Sequence, residues 1–230
     1  MKPAAQAAFV AFNAPLEGVL AWMYLDILGY VTTGMGNLVD PVQQALTLPW
    51  KRPAGSLASA DEVAAAWQAV DACRTAPKGQ RQSGLATQYG GAFEHVTEIR
   101  LDHDGINACV AHQIAANEIF MRKYFPAFDA LPADAQLCLH SMAWAMGPGF
   151  AATFQKFRDE INAGQYAAAE PDAVFRGSGV QRRIDQDKLL LGNAQAVVDH
   201  DLSPDALWWP ADLSDPVQMQ RALDAGKGVA

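Results

Sequence analysis

The chain reads as an α+β protein, mostly helical, with a small β-hairpin or three-stranded sheet near the N-terminus. Three observations predict this. Alanine is abundant while Val, Ile, Tyr and Phe are modest in number, a balance that favours helices. Between residues 19 and 40, Trp22, Tyr24 and Val31 favour strands, and Leu28-Gly29 and Gly34 to Asn37 supply turns. From Pro132 to Met146 the apolar residues wrap around more than one face, the mark of a central, buried helix. At 230 residues and 50% hydrophobic, the chain is long enough to bury a core as one domain or one domain with additions.

In chain order, residues 4 to 12 predict a short helix stopped at Asn13-Ala14-Pro15, because the residue before a proline avoids the helical region. The hairpin follows. Ser59-Ala60-Asp61-Glu62 has capping-box form and opens a helix to about Arg74. Thr75 to Gly91 is rich in Gly, Gln and charge and reads as loop. Asp104 is the expected cap of a helix in which Ile106, Val110 and Ile114 recur at helical spacing. Pro132 opens the central helix and Gly147-Pro148-Gly149 closes it. Phe150, Phe154, Phe157 and Ile161 form one stripe of the next helix, and Val180, Ile184, Leu191 and Val198 mark a final long one. Trp208-Trp209-Pro210 lies in a polar C-terminal end.

Composition excludes several function classes. A formal charge of -8 with no Lys/Arg cluster argues against a nucleic-acid partner. The N-terminal apolar run is too short for a membrane span, and no secretory h-region or cleavage site is seen. Cys73, Cys109 and Cys138 are odd in number and sit in apolar helical patterns, as buried free thiols do. The five histidines lack metal-ligand spacing, and Asp102-His103-Asp104-Gly105 lacks the later ligands of a calcium loop. With no Gly-rich phosphate loop after a strand, neither metal nor cofactor is expected.

The most informative stretch runs from Leu16 to Leu38. Glu17 precedes Asp26 by nine residues, Thr32 follows Asp26 by six, and the surroundings are almost wholly apolar or glycine. Two carboxylates in such surroundings are readily held in opposite protonation states. A glycosidase needs that pair: a neutral acid for the leaving oxygen and a carboxylate on the opposite face of the sugar. Each residue also has a plainer reading. Glu17 suits a helix end, Asp26 a turn, Thr32 a strand interior, and Trp144 a core position at helical spacing. Strand alternation puts Thr32 and Thr33 on opposite faces, so only one of them can meet a given water.

The order and spacing of Glu17, Asp26, Thr32 and the hairpin glycines resemble the catalytic segment of the phage-type lysozymes, the family of the T-even phage lysozyme. A second block, Ala127 to Pro132 with Ser141 to Gly147 and Phe150, is similar to that family's central helix, whose end carries an aromatic residue facing the sugar cleft. A third, Gly177 to Arg183, is similar to the glycine and paired arginines that start the family's last helices. Together the blocks span roughly residues 5–198 with an enlarged middle at about 41–105, which implies a lysozyme-like domain over 1–198 and a C-terminal extension over 199–230. Asn37 departs from the family, which often has a histidine there supporting the sheet.

The resemblance implies a lysozyme-like two-lobed fold with a cleft between a small β lobe and a helical lobe. It implies a muramidase that hydrolyses the β-1,4 bond between N-acetylmuramic acid and N-acetylglucosamine with inversion. Glu17 would be the general acid, and Asp26 and Thr32 would hold and activate the water. Leu38, Met142 and Trp144 are the substrate-contact candidates, and Arg182 or Arg183 would pair with Glu17 unless it faces solvent. The partner would be the peptidoglycan glycan strand, met by a monomer made in the cytoplasm without a signal peptide and acting in the periplasm. Delivery would be by a secretion system, with a carrier or cognate immunity protein, or by phage lysis as an endolysin. Two other readings are open: a lysozyme-fold wall-binding or structural protein without activity, and a chitinase-like glycosidase.

Overall fold

The computed structural model describes residues 1–88, 90–177 and 180–227. Most of these residues are helical, and the strands form one three-stranded antiparallel sheet, so the α+β class holds. The chain divides into two compact units, Asn13–Gln113 and Met1–Phe12 with Ile114 onward. Helices α1 (Pro3–Glu17) and α4 (His103–Tyr124) each contribute residues to both.

In the unit of residues 13–113, α1 runs past its expected stop. Pro15 lies in its last turn, where the missing proline N–H removes only one hydrogen bond. Gly18 ends the helix: at φ 76° it turns left-handed and its N–H reaches Ala14 O at 2.8 Å, a closure that costs glycine nothing sterically. The sheet then forms as β1 (Leu20–Leu25), β2 (Val31–Gly34) and β3 (Asn37–Leu38), in that spatial order. Tyr24 pairs with Thr32 and Leu25 with Val31, while Leu20 pairs with Gly34, so β1 is bulged between Leu20 and Tyr24. Met23, Leu25, Val31, Thr33 and Met35 are buried along one side of the hairpin and its turn. Asn37 does what the sheet needs at its position. Its Oδ1 accepts from Met35 N at 3.1 Å and its Nδ2 donates to Cys109 O on α4 at 3.4 Å.

The enlarged middle folds onto this sheet. After the short α2 (Val42–Ala45), Trp50 is buried with its indole N–H on Ala45 O. Leu101 N donates to Ala21 O beside β1. Helix α3 (Ala60–Asp71) has the expected Ser59–Glu62 capping box, both bonds present, but stops three residues before Arg74. Thr75 to Gly91 is loop as expected, save for a 3-10 turn at Gly84–Thr87 and another starting at Gly90, with Tyr89 outside the described residues. Helix α4 is capped by Asp102, whose Oδ1 accepts from Gly105 N at 2.9 Å, and not by Asp104. Asp104 lies inside the first turn, so the cap falls one position before the helix starts.

The other unit is built around α5 (Ala133–Met146), in which every residue from Ala133 to Ala143 is buried. It ends at Gly147 (φ 83°), as the glycine predicts. The single helix expected next is two, α6 (Phe150–Thr153) and α7 (Gln155–Asn162), because Phe154 leaves the helical region at ψ 61°. The aromatic spacing survives the break: Phe150 has Phe125, Phe154 and Phe157 around it at 6.2–6.3 Å. After α8 (Tyr166–Ala169) comes α9 (Gln181–Asp199), with Ile184 and Leu191 buried but Val198 exposed and Val197 inward instead. It is not the final helix. The chain continues to α10 (Pro216–Lys227), and Val197, Leu202, Leu213 and Ala222 form a core cluster joined by Trp208 and Met219. Of the block Gly177 to Arg183, Ser178 and Gly179 lie outside the described residues.

A buried polar knot ties residues 203–213 to α5 and α9. Both oxygens of Asp134 accept backbone N–H groups, from Trp208 and Trp209 at 3.0 Å each. Asn193 donates to Asp134 and to Ala211 O and accepts from Leu213 N. Burial pushes the Asp134 carboxyl above its ordinary range, and these bonds oppose the shift. Among the described residues no helix is long and apolar enough to cross a membrane.

Candidate functional site

Three of the sequence-predicted residues sit on consecutive elements of the sheet unit. Glu17 is the last residue of α1, Asp26 follows the last residue of β1, and Thr32 lies on β2. Glu17 is exposed, as are Gly18 and Val19 after it, so the apolar stretch around it in sequence does not enclose it in space. The helix end accounts for that: Gly18 turns the chain out of α1 at this point.

Asp26 shapes the turn between β1 and β2. Its Oδ1 accepts from Leu28 N at 2.8 Å and Tyr30 N at 2.9 Å, and its own N–H donates to Tyr30 O at 2.9 Å. The turn role and the proposed chemical role are compatible, because both side-chain bonds go to Oδ1 and orient the carboxyl plane. Thr32 is 4% exposed, with its hydroxyl donating to Tyr30 O at 3.2 Å. Thr33 is fully buried and donates to Trp22 O at 3.0 Å. The neighbours therefore do face differently, and only Thr32 shares its cross-strand position with Tyr24 and Leu38.

Tyr24 is a residue that sequence reading missed. Its phenol is pushed up to about 12 by burial and by the negative charges of Asp26 and Glu17. One hydroxyl thus lies within the field of both carboxylates. The signal in the sequence was its place two residues before Asp26, at the end of a strand.

Leu38 is 53% exposed and borders a small pocket walled by Gln44, Thr47 and His112. The other two predicted substrate contacts belong to the helical unit. Met142 is fully buried in α5, so it is a core residue here and not a surface that a sugar can touch. The apolar wrap that marks a central helix leaves it no outward face. Trp144 is half-buried against Phe9, ring centroids 5.0 Å apart, which gives it a packing role. Arg183 does not face solvent: it is buried, and its guanidinium donates to Ser141 O and Oγ at 3.1 and 3.0 Å.

Burial dominates the other perturbed groups. Cys109 is raised to about 11 and Cys138 well above the ordinary thiol range. His140, fully buried between the rings of Phe9 and Phe128, is lowered to about 4. Asp187 is raised to about 7 by burial, against the opposing pull of Ser141 and Arg183. Among the described residues, no three His, Cys, Asp or Glu side chains gather as a metal site would require. No protein-family model matches the chain, and no curated protein matches it.

Proposed function

We propose that the chain is a peptidoglycan muramidase, an inverting glycosidase of lysozyme-like fold with a substrate cleft. The observation that carries this reading is the placement of Glu17, Asp26 and Thr32 in one compact unit, at the end of α1, directly after β1 and on β2. Glu17 is the general acid. It is the last residue of α1 and exposed to solvent, where a substrate oxygen can reach it. Asp26, its plane set by two backbone N–H groups, takes the proton of a water that the Thr32 hydroxyl helps to orient. The negative charge of Asp26 also favours the oxocarbenium-like transition state. Leu38 and the pocket beside it offer an apolar and polar surface for a flanking sugar. Delivery as an antibacterial effector fits the acidic charge and the length slightly better than release as an endolysin.

Digestion of purified peptidoglycan, with mass spectrometry of the fragments, tests the reaction. Reducing muramic acid ends are expected, with the product anomer inverted when followed by NMR before mutarotation. Glu17→Gln should lower the rate by ~10²–10⁴-fold, since the amide keeps the shape but has no acidic proton. Reducing glucosamine ends, cut peptides, or a variant keeping most of its activity would sink the reading.

A further inference from the structure

The turn that carries Asp26 does not stand alone. Its carbonyls are held from outside by the loop Thr75 to Gln82: Gln82 N donates to Ile27 O at 2.8 Å and Gly79 N to Leu28 O at 2.9 Å. Those bonds continue a ladder that begins at the carboxylate, because Leu28 N donates to Asp26 Oδ1. The loop keeps its shape through the Gln82 side chain, which is nearly buried. Its Oε1 accepts from Thr75 N and Ala76 N, and its Nε2 donates to Ala76 O and Gln80 O, all at 2.8–3.1 Å. One amide thus replaces the secondary structure that an irregular segment lacks.

Two further contacts fasten the same assembly. Gly29 has φ 80°, and a Cβ there would lie 2.6 Å from Gln82 Nε2, so a side chain at this turn position would expel the amide. At the other end, Lys78 donates to Asp40 at 2.7 Å, and Asp40 accepts from Val31 N at 3.3 Å, at the first residue of β2. The Asp26–Val31 segment is gripped at both ends by one loop.

We infer that the Thr75–Gln82 loop is a clamp that sets the orientation of the Asp26 carboxylate, and that Gln82 is its positioning residue. The inference rests on the proposed role of Asp26. It assigns to the enlarged middle a task in the reaction and not only in covering the sheet. Gln82 acts on Asp26 through Ile27, Leu28 and Gly29. A purely local role, stabilising a surface loop, would leave the carboxylate unaffected.

Amide hydrogen exchange on the full chain separates these cases. In Gln82→Ala, the Leu28 and Tyr30 amides, which Asp26 Oδ1 accepts, should exchange at least about tenfold faster, with α5 amides unchanged. Asp26→Ala serves as the control that shows those amides report on the carboxylate. On peptidoglycan, kcat should fall ~10–100-fold with KM nearly unchanged, the effect of a misplaced group and not of lost binding. Lys78→Met, which frees the loop at its far anchor without touching Gln82, should give the same pattern more weakly, and it carries the test should Gln82→Ala fail to fold. Wild-type exchange at Leu28 and Tyr30 in both variants would overturn the clamp. Faster exchange with unchanged kcat in an active enzyme would overturn its part in turnover. Should the wild type leave peptidoglycan uncut, the muramidase reading fails, while the exchange result still decides whether the loop orients Asp26.

Discussion

Thr32 and Thr33 are adjacent threonines with different partners, and the difference makes them separable by experiment. Thr33 donates from a fully buried position to Trp22 O across the bulged part of the hairpin. Thr33→Val leaves that carbonyl without its partner and should cost about 1 kcal/mol of stability, with turnover kept. Thr32→Val removes a hydroxyl that bonds only its own strand at 3.2 Å, so it should cost activity with little change in melting temperature. Thermal melts and hydrolysis rates on both variants check this; the reverse pattern would place the water on the other face of β2. Met142 and Trp144 divide in the same way. Met142→Ala should cost ~2–5 kcal/mol and leave KM alone, as a core deletion does. Trp144→Ala should lower stability through lost packing on Phe9 and raise KM only where its exposed edge meets sugar. A KM change in Met142→Ala with unchanged stability would show that α5 opens to the substrate.

At the level of elements, legibility followed how local the cause was. Helix α5 could be read because Pro132, Gly147 and an apolar wrap are all in its own sequence. The hairpin could be read from its turn glycines, whereas the roles given to Glu17, Asp26 and Thr32 rest on the family resemblance and belong to the proposed function. Elements decided by tertiary packing could not. Pro15 ought to end α1, yet the helix carries on to a stronger stop at Gly18. Phe154 breaks a stripe whose spacing survives because both short helices pack on Phe150. Gln82 gave no signal at all, since its partners are backbone groups in an irregular loop. Asn37 looked like a loss against the family's histidine, but its amide bridges β2–β3 to α4. Asn37→Ala should therefore destabilise the chain by ~1–3 kcal/mol, the cost of losing both side-chain bonds of a buried amide. Chemical denaturation measures it, and a neutral result would mean the sheet is held elsewhere.

For the whole molecule, two buried groups act on acid stability in opposite directions. His140 ordinarily titrates at 6.5 and falls to about 4 in the fold, so below pH 6.5 the unfolded chain takes up a proton that the folded one refuses. Its effect is a stability loss as pH falls from 6.5 towards 4. Asp187 rises from 3.8 to about 7, so the unfolded chain sheds a proton that the folded one keeps. Its effect is a stability loss as pH rises from about 4 towards 7. Each slope is about 1.4 kcal/mol per pH unit, and across the shared window they largely cancel. Wild-type stability should be nearly flat between pH 4.5 and 6.5 as far as these two groups decide it. His140→Phe should make the protein more stable on acidification, and Asp187→Asn should make it less so. Denaturant midpoints at several pH values test both, and parallel pH profiles for the two variants would refute the opposition.

The knot at Asp134 bears on how this chain can be cut down. Trimming after residue 198, where the lysozyme resemblance ends, would take away the two tryptophan amides that meet the Asp134 carboxylate and the strand of backbone that satisfies Asn193. The central helix would then begin on an unmet buried charge, a loss of several kcal/mol in a protein whose whole margin is about 5–15. A minimal folded fragment therefore has to keep the sequence at least through Leu213. Fusions and tags belong beyond α10, and a screen for short active fragments that stops at 198 would mistake misfolding for inactivity.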